Sequence, residues 1–281
     1  VAGLIAGDGA SSGGAYTGVA PGAKILDVRV IRSDGTSNVG IVLRGLQWVL
    51  ANRNTYNIKV VNMSLGAPVT KSYKLDPLAT AAQVLNFAGI TVIVSAGNSG
   101  PGSATITSPA NDPFVISVGA VDDNATATTT DDTIARFSAR GRTLYDSKAK
   151  PDLAAPGRKM VSLRSAGSTL DPLYPDRRVN GTDVLDPKYF RLSGTSMAAP
   201  VVAGTIALML ERNATLSPSQ VKKRLRSTAI EIDGATDLGQ GKGMIDARAA
   251  VGSIDASKQY STGRVTDSFA KDMRRFVQGQ P

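Results

Sequence analysis

The chain has 281 residues, 42% hydrophobic and 20% charged, enough for one large domain with a sizeable core or two small ones. It contains no cysteine, which excludes disulfides, thiolate metal sites and cysteine nucleophiles, and it contains no histidine. A net charge of +9 is spread along the chain with one Trp and six Phe and no nucleic-acid-binding pattern, so nucleic acid is not expected as a partner; nor does any run approach the roughly 18 apolar residues of a membrane helix.

The opening residues VAGLIAG lead into two glycine-rich runs, Gly7 to Gly13 and Gly18 to Lys24. Neither matches a dinucleotide or P-loop spacing, and both precede a predicted strand, so they read as connections. Short β-branched runs at 23–31 (AKILDVRVI), 58–65 (IKVVNMSL), 90–96 (ITVIVSA) and 114–120 (FVISVGA) mostly lack strict alternation, the pattern of strands buried on both faces. Between the first two, Val39, Val42, Leu43, Leu46, Val49 and Leu50 form the apolar stripe of a helix that leaves Trp48 outside it. Between the next two, Asp76 is a predicted N-cap, Pro77 sits at N1, and Gly89 ends the helix. Strand, helix, strand in this order implies a parallel sheet with right-handed crossovers.

Residues 121–133 and 167–190 are polar and turn-rich and read as surface loops. A further helix opens near Ser196, with Pro200 expected inside its first turn. Ser217-Pro218-Ser219-Gln220 has the form of a capping box, and Lys222-Lys223-Arg224 with Arg226 on the following helix reads as a solvated face. From Ser253 onward the chain is polar, so 1–252 is expected to be the folded unit and 253–281 a C-terminal extension.

Two stretches carry chemistry. In SGTSMAAP, residues 193–200, Gly194 permits a tight turn, Ser196 stands where a helix N-terminus favours developing negative charge, and Ala198 and Ala199 leave room for a close backbone. A serine there also serves as an ordinary N-cap. In SAGNSG, residues 95–100, Asn98 follows the carboxyl end of a predicted parallel strand, where its amide is either a turn element or a donor to an oxyanion. The run NMSLG, residues 62–66, ends another strand and offers an edge to an extended peptide.

Over roughly residues 1–252 the chain resembles the subtilisin-like serine proteases, the subtilases. The ordered motifs VAGLIAG, GVAPGAKILDVRV, NMSLG, SAGNSG, FSARG, KPDLAAPG, GTSMAAP and GKGMIDARAA carry the resemblance. It implies a doubly wound α/β fold, a mostly parallel sheet with helices on both faces in three layers, and peptide-bond hydrolysis with Ser196 as nucleophile and Asn98 as side-chain oxyanion donor beside the Ser196 N–H. It implies that Ser64-Leu65-Gly66 and the region around Gly35 flank an extended peptide substrate, and that Ala96 and Gly97 line the pocket before the scissile bond. The family's histidine lies in an H-G-T-H-V-A-G motif with its aspartate further upstream, so the missing base is expected ahead of Val1, and these residues alone are expected to be nearly inactive. The resemblance also implies a secreted, monomeric protein. No cofactor is expected for the chemistry, and structural calcium is left unlocated because the Asp122-Asp123 and Asp131-Asp132 pairs are too weak a pattern.

Two departures bear on this reading: Val201 stands where many subtilases have a further, non-catalytic histidine, and the 167–190 insert is long. Three alternatives remain beside it. A sedolisin-type peptidase is disfavoured because that family has an aspartate where this chain has Asn98. A serine-lysine dyad lacks a lysine near Ser196 in sequence. A non-catalytic peptide-binding module of the same fold is the rival from a different functional class.

Overall fold

A computed structural model describes residues 1–183 and 185–255, with Met273, Arg275 and Val277 beyond them; most of the expected C-terminal extension therefore lies outside the described residues. The helices are α1 (Ala2–Ala6), α2 (Val39–Asn52), α3 (Pro77–Phe87), α4 (Leu170–Leu173), α5 (Thr195–Arg212), α6 (Pro218–Thr228), α7 (Asp237–Gln240) and α8 (Ala247–Gly252). The strands are β1 (Val60–Met63), β2 (Thr91–Ser95), β3 (Ile116–Asp122), β4 (Thr133–Ile134), β5 (Gly141–Arg142), β6 (Ala149–Lys150), β7 (Leu153–Pro156), β8 (Met160–Leu163), β9 (Arg178–Val179) and β10 (Tyr189–Leu192).

The main sheet is parallel from β1 through β2 and β3 to β7, with β4 added antiparallel to the end of β3. Every residue of β2 is buried, and its side chains divide by parity. Ile93 packs into a core with Ala199, Val202 and Ile206 of α5, while Val92 and Val94 pack with Val42 and Leu46 of α2 and Leu78 and Leu85 of α3. A strand buried on both faces has no use for polar alternation, which is why its sequence reads as a continuous apolar run. The result is the three-layer α/β fold with a mostly parallel sheet.

The expected helix ends form. Asn38 accepts from the Ile41 N–H at 3.0 Å to start α2, and the Asp76 carboxylate accepts from Leu78 N–H at 2.9 Å with Pro77 at N1. Ser217 and Gln220 close a capping box on α6. Each cap satisfies donors that the first helical turn cannot pair, worth typically about 1 kcal/mol.

Four expectations are corrected. Residues 23–31, expected as a strand, run extended but pair with no strand among the described residues, because the nearest strand edge, that of β1, is not brought into hydrogen-bonding reach. The 167–190 stretch, expected as a surface loop, holds α4 and two strands of an antiparallel sheet ordered β8-β10-β9. Its organiser is Asp171, almost fully buried, whose carboxylate accepts from Arg164 Nε and Nη2 at 2.7 Å each and from Arg178 Nε at 2.9 Å. Those guanidinium groups hold the Asp171 carboxyl well below the usual carboxylate range.

Lys222, expected on a solvated face, instead turns inward. Its ammonium donates to Pro113 O at 2.8 Å and Val115 O at 2.7 Å, and lies 2.8 Å from Asp152 Oδ1, while buried Lys150 pairs with Oδ2 of the same carboxylate at 2.7 Å. Burial pulls the Lys222 ammonium down to about 7, and the two lysines outweigh burial at Asp152 to hold its carboxyl low. Pro200, finally, is the sixth residue of α5, past the first turn, and its position is explained by the site itself.

Candidate active site

Helix α5 is where the two sequence motifs meet. Gly194, its N-cap, takes φ 156° and ψ 158°, a conformation that an L side chain rarely adopts, and Thr195 and Ser196 follow as the first helical residues. Asn98 comes from the loop after β2 and caps this helix from across the fold: Thr195 N–H donates to Asn98 Oδ1 at 2.9 Å, and the Thr195 hydroxyl donates to the same oxygen at 3.0 Å. A backbone N–H can only donate, so the atom it meets is the amide oxygen. Asn98 Nδ2 is therefore the end left to donate to a third party.

The nucleophile candidate is tied to the other strand end. Ser196 Oγ donates to the Ser64 carbonyl at 3.2 Å, and Ser64 Oγ donates to the Ser196 carbonyl at 2.9 Å. Asn62 Nδ2 donates to Ser64 Oγ at 2.9 Å, which leaves that hydroxyl's proton for Ser196. This reciprocal clip accounts for Pro200. In an α-helix the carbonyl of Ser196 would accept from the N–H four residues on, and proline has none. Ser64 supplies the missing donor, so the proline frees the carbonyl that fastens Ser196 to the segment just after β1.

The remaining predicted positions fall in two groups. Gly66 lies against Thr107, whose hydroxyl would be 2.6 Å from any added Cβ, and Ala67 just beyond pairs with Ser108 in an antiparallel bridge, so 64–66 sits at the rim with Leu65 half-buried. Gly97 has φ +114° and a Cβ there would come within 2.9 Å of Thr107 Cγ2, while its N–H accepts no burden but donates to Thr195 Oγ1 at 3.2 Å. Ala96 is fully buried, its N–H donating to Val118 O and its carbonyl accepting from Thr107 N–H, so it backs the site without facing it. Gly35 stands apart in the exposed turn 32–36 at φ +81°, where the carbonyl of Ser33 accepts from Thr169 of the insert at 2.7 Å. Ser64, Gly97, Asn98 and Ser196 are thus one hydrogen-bonded constellation, with Thr195, which the sequence reading passed over, at its centre. The signal for Thr195 was a hydroxyl wedged between the helix-starting glycine and the serine.

The insert reaches the same place. A small cleft of about 120 Å³ opens between Leu163, Leu170, Phe190, Leu192 and Met197, the residue after Ser196. Among the described residues no group of three or more carboxylate, histidine or cysteine side chains is gathered to hold a metal ion. In the loop that holds the two aspartate pairs, Arg158 pairs with Asp122 and the Thr126 hydroxyl donates to Asp131.

The Subtilase family model matches residues 1–260. The chain is 43% identical over 231 residues to "Serine protease AprX" of Bacillus subtilis (strain 168), a match covering 80% of this chain and 51% of the relative. It is 36% identical over 239 residues to "Subtilisin DY" of Bacillus licheniformis, covering 83% and 70%. Among solved structures, fervidolysin from Fervidobacterium pennivorans, described as a keratinolytic enzyme related to subtilisin, superposes with a TM-score of 0.67 at 28% identity, over 89% of this chain and 35% of that one. The chain spans about half the length of AprX. The chain belongs to the subtilase family.

Proposed function

We propose that these residues supply the nucleophile and the oxyanion donors of a serine endopeptidase. Ser196 attacks the scissile carbonyl, and the developing oxyanion is met by Asn98 Nδ2 and by the Ser196 N–H, a first-turn donor with no acceptor inside its helix. An extended peptide lies along Ser64-Leu65-Gly66, with the turn at Gly35 on its other flank and Gly97 lining the pocket before the cleavage point. The observation that supports this reading is the double donation from Thr195 to Asn98 Oδ1, which leaves the Asn98 amide hydrogens to donate elsewhere.

The proton acceptor is not among the 281 residues, which include no histidine. The Ser196 hydroxyl rests its proton on the Ser64 carbonyl, a group too weakly basic to take it. A triad without its base keeps roughly 10³- to 10⁴-fold catalysis over water, so on their own these residues cut slowly. A secreted, monomeric setting belongs to the same proposal; for the chain itself, no helix among the described residues is long and apolar enough to cross a membrane.

Labelling with a fluorophosphonate, with and without millimolar imidazole as a diffusible base, tests the reading. Slow modification of Ser196 that imidazole accelerates, and that Ser196→Ala abolishes, is the expected result; Asn98→Ala lowers the rate by about 10²- to 10³-fold, the loss measured for such a donor in a subtilisin. Fast labelling without imidazole would mean that a base exists within the chain. Absence of labelling even with imidazole would favour a module that binds peptides without cutting them.

A further inference from the structure

Outside the constellation around Ser196, two loops are joined into one basic knob with an apolar tip. The first, 71–76, leads into α3; the second, 142–148, is the turn of the β5–β6 hairpin. Asp146 ties them together, its carboxylate accepting from Ser72 Oγ at 2.6 Å and from Tyr73 N–H at 3.0 Å. The base of the knob is fixed, since Tyr73 is buried and Lys150, which ends β6, reaches the buried Asp152. Within the turn, Thr143 N–H donates to Lys148 O at 2.8 Å, and Lys148 N–H donates to Thr143 Oγ1 at 3.0 Å.

This rigid base holds apolar side chains out to solvent. Leu75, Tyr145 and Leu144 are 72%, 68% and 43% exposed. Tyr145 stands at φ 67° and Ser147 at φ 50°, left-handed backbone that glycine adopts readily and a bulky aromatic residue rarely does. A turn of this shape favours glycine, so a tyrosine kept there against the backbone preference points to a use for its side chain. Four exposed cations surround the tip: Lys71, Lys74, Arg142 and Lys148. Of the two carboxylates in these loops, Asp76 is buried as the cap of α3 and Asp146 is held between the loops, so the exposed charge is positive.

We propose that this knob docks the protein on an anionic lipid surface, with Leu75, Leu144 and Tyr145 entering the headgroup layer and Lys71, Lys74, Arg142 and Lys148 meeting lipid phosphates. A tip raised on two loops encloses no small molecule, whereas a bilayer interface is planar, deformable and apolar just beneath its charge. Leucine and tyrosine ringed by lysine and arginine suit that interface: the aromatic ring sits at headgroup depth, and each cation close to an anionic surface strengthens binding about fivefold. A soluble acidic peptide would meet the same cations and leave the three apolar side chains in water. Docking of this kind is peripheral and weakens with salt, because the cations act only within a Debye length of the surface.

Co-sedimentation of the full chain with phosphatidylcholine vesicles, with and without about 30% phosphatidylglycerol, tests the proposal at about 0.05 M salt. The expected result is binding to the anionic vesicles alone. A net charge of +9 attracts any anionic surface, so substitutions must locate the contact. Lys148→Gln should weaken binding about fivefold, and Lys223→Gln, the same charge change on an exposed position of α6, less than about twofold. Leu75→Ser combined with Tyr145→Ser should weaken it more than about tenfold at unchanged net charge. Hydrogen exchange on the unsubstituted chain gives a reading that no folding defect can spoil: amides of 71–75 and 144–148 become protected with anionic vesicles only. Absence of binding overturns the proposal. Equal losses for Lys148→Gln and Lys223→Gln, or no loss for the Leu75 and Tyr145 pair, overturn it in favour of attraction by net charge alone. Binding of soluble polyaspartate with the same dependence on Leu75 and Tyr145 overturns it in favour of an acidic polypeptide partner.

Discussion

Two runs of nearly equal β-forming composition meet opposite fates. ITVIVSA becomes β2, buried at every residue and paired on both edges, while AKILDVRVI runs extended and pairs with no strand among the described residues. Local propensity does not separate them; neighbours do. The backbone of β2 is satisfied by β1 and β3 and its side chains by helices on two faces, whereas 24–31 has α2 on one face and a cleft beside it. A strand is thus a property of an edge that receives it as much as of the residues that compose it.

The contrast can be broken or sharpened by substitution. The largest effect is expected on the closed side, at Asp152, where one carboxylate neutralises Lys150 and Lys222 in the interior. Asp152→Ala leaves two buried cations without their counter-charge and costs about 3–5 kcal/mol, read as a shift in urea midpoint. Next, Ile93→Ala in β2 removes a fully buried side chain from the α5 core and costs about 2–5 kcal/mol by the same measurement.

A smaller effect follows from pH. Burial pushes the Asp112 carboxyl up to about 6 in spite of hydrogen bonds from Phe114 N–H and Gln83 Nε2 and the fields of Lys150 and Lys222. Its folded form therefore holds a proton that the unfolded chain has already released, so this group's contribution to stability falls as pH rises from about 4 to about 6 and is level above. Asp112→Asn should flatten that part of the stability profile; an unchanged slope between pH 4 and 6 would assign the titration elsewhere. Smallest is Leu26→Ala on the open side, expected within about 0.5 kcal/mol because the side chain is nearly half exposed. A loss comparable to that of Ile93→Ala would show that the cleft is filled in solution and erase the contrast between the two runs.

Legibility followed the range of the interaction. The strands at 60–63, 91–95 and 116–122, the Asp76 cap and the Ser217 capping box rest on periodicity and on contacts three or four residues apart, which a sequence displays directly. Lys222 misled because its helix position shows only which face it occupies, and not that Asp152 and two carbonyls lie beneath that face. The 167–190 insert misled because its polar residues fold around a single buried carboxylate, Asp171, with arginines seven residues away on either side. Pro200 was placed in a first turn when its cause lay in Ser64, distant in sequence.

The sequence by itself determined β1, β2 and β3 with the helices α2, α3, α5 and α6, the serine and asparagine proposed to carry the chemistry, and the absence of histidine, because each of these is a matter of residue type and short-range pattern. Only the tertiary structure decided how Asn98 is aimed, why a proline is tolerated behind the nucleophile, and which of two similar runs becomes a strand. Those depend on hydrogen bonds between residues far apart in the chain: Thr195 with Asn98, Ser64 with Ser196, and the ladders that join β2 to β1 and β3.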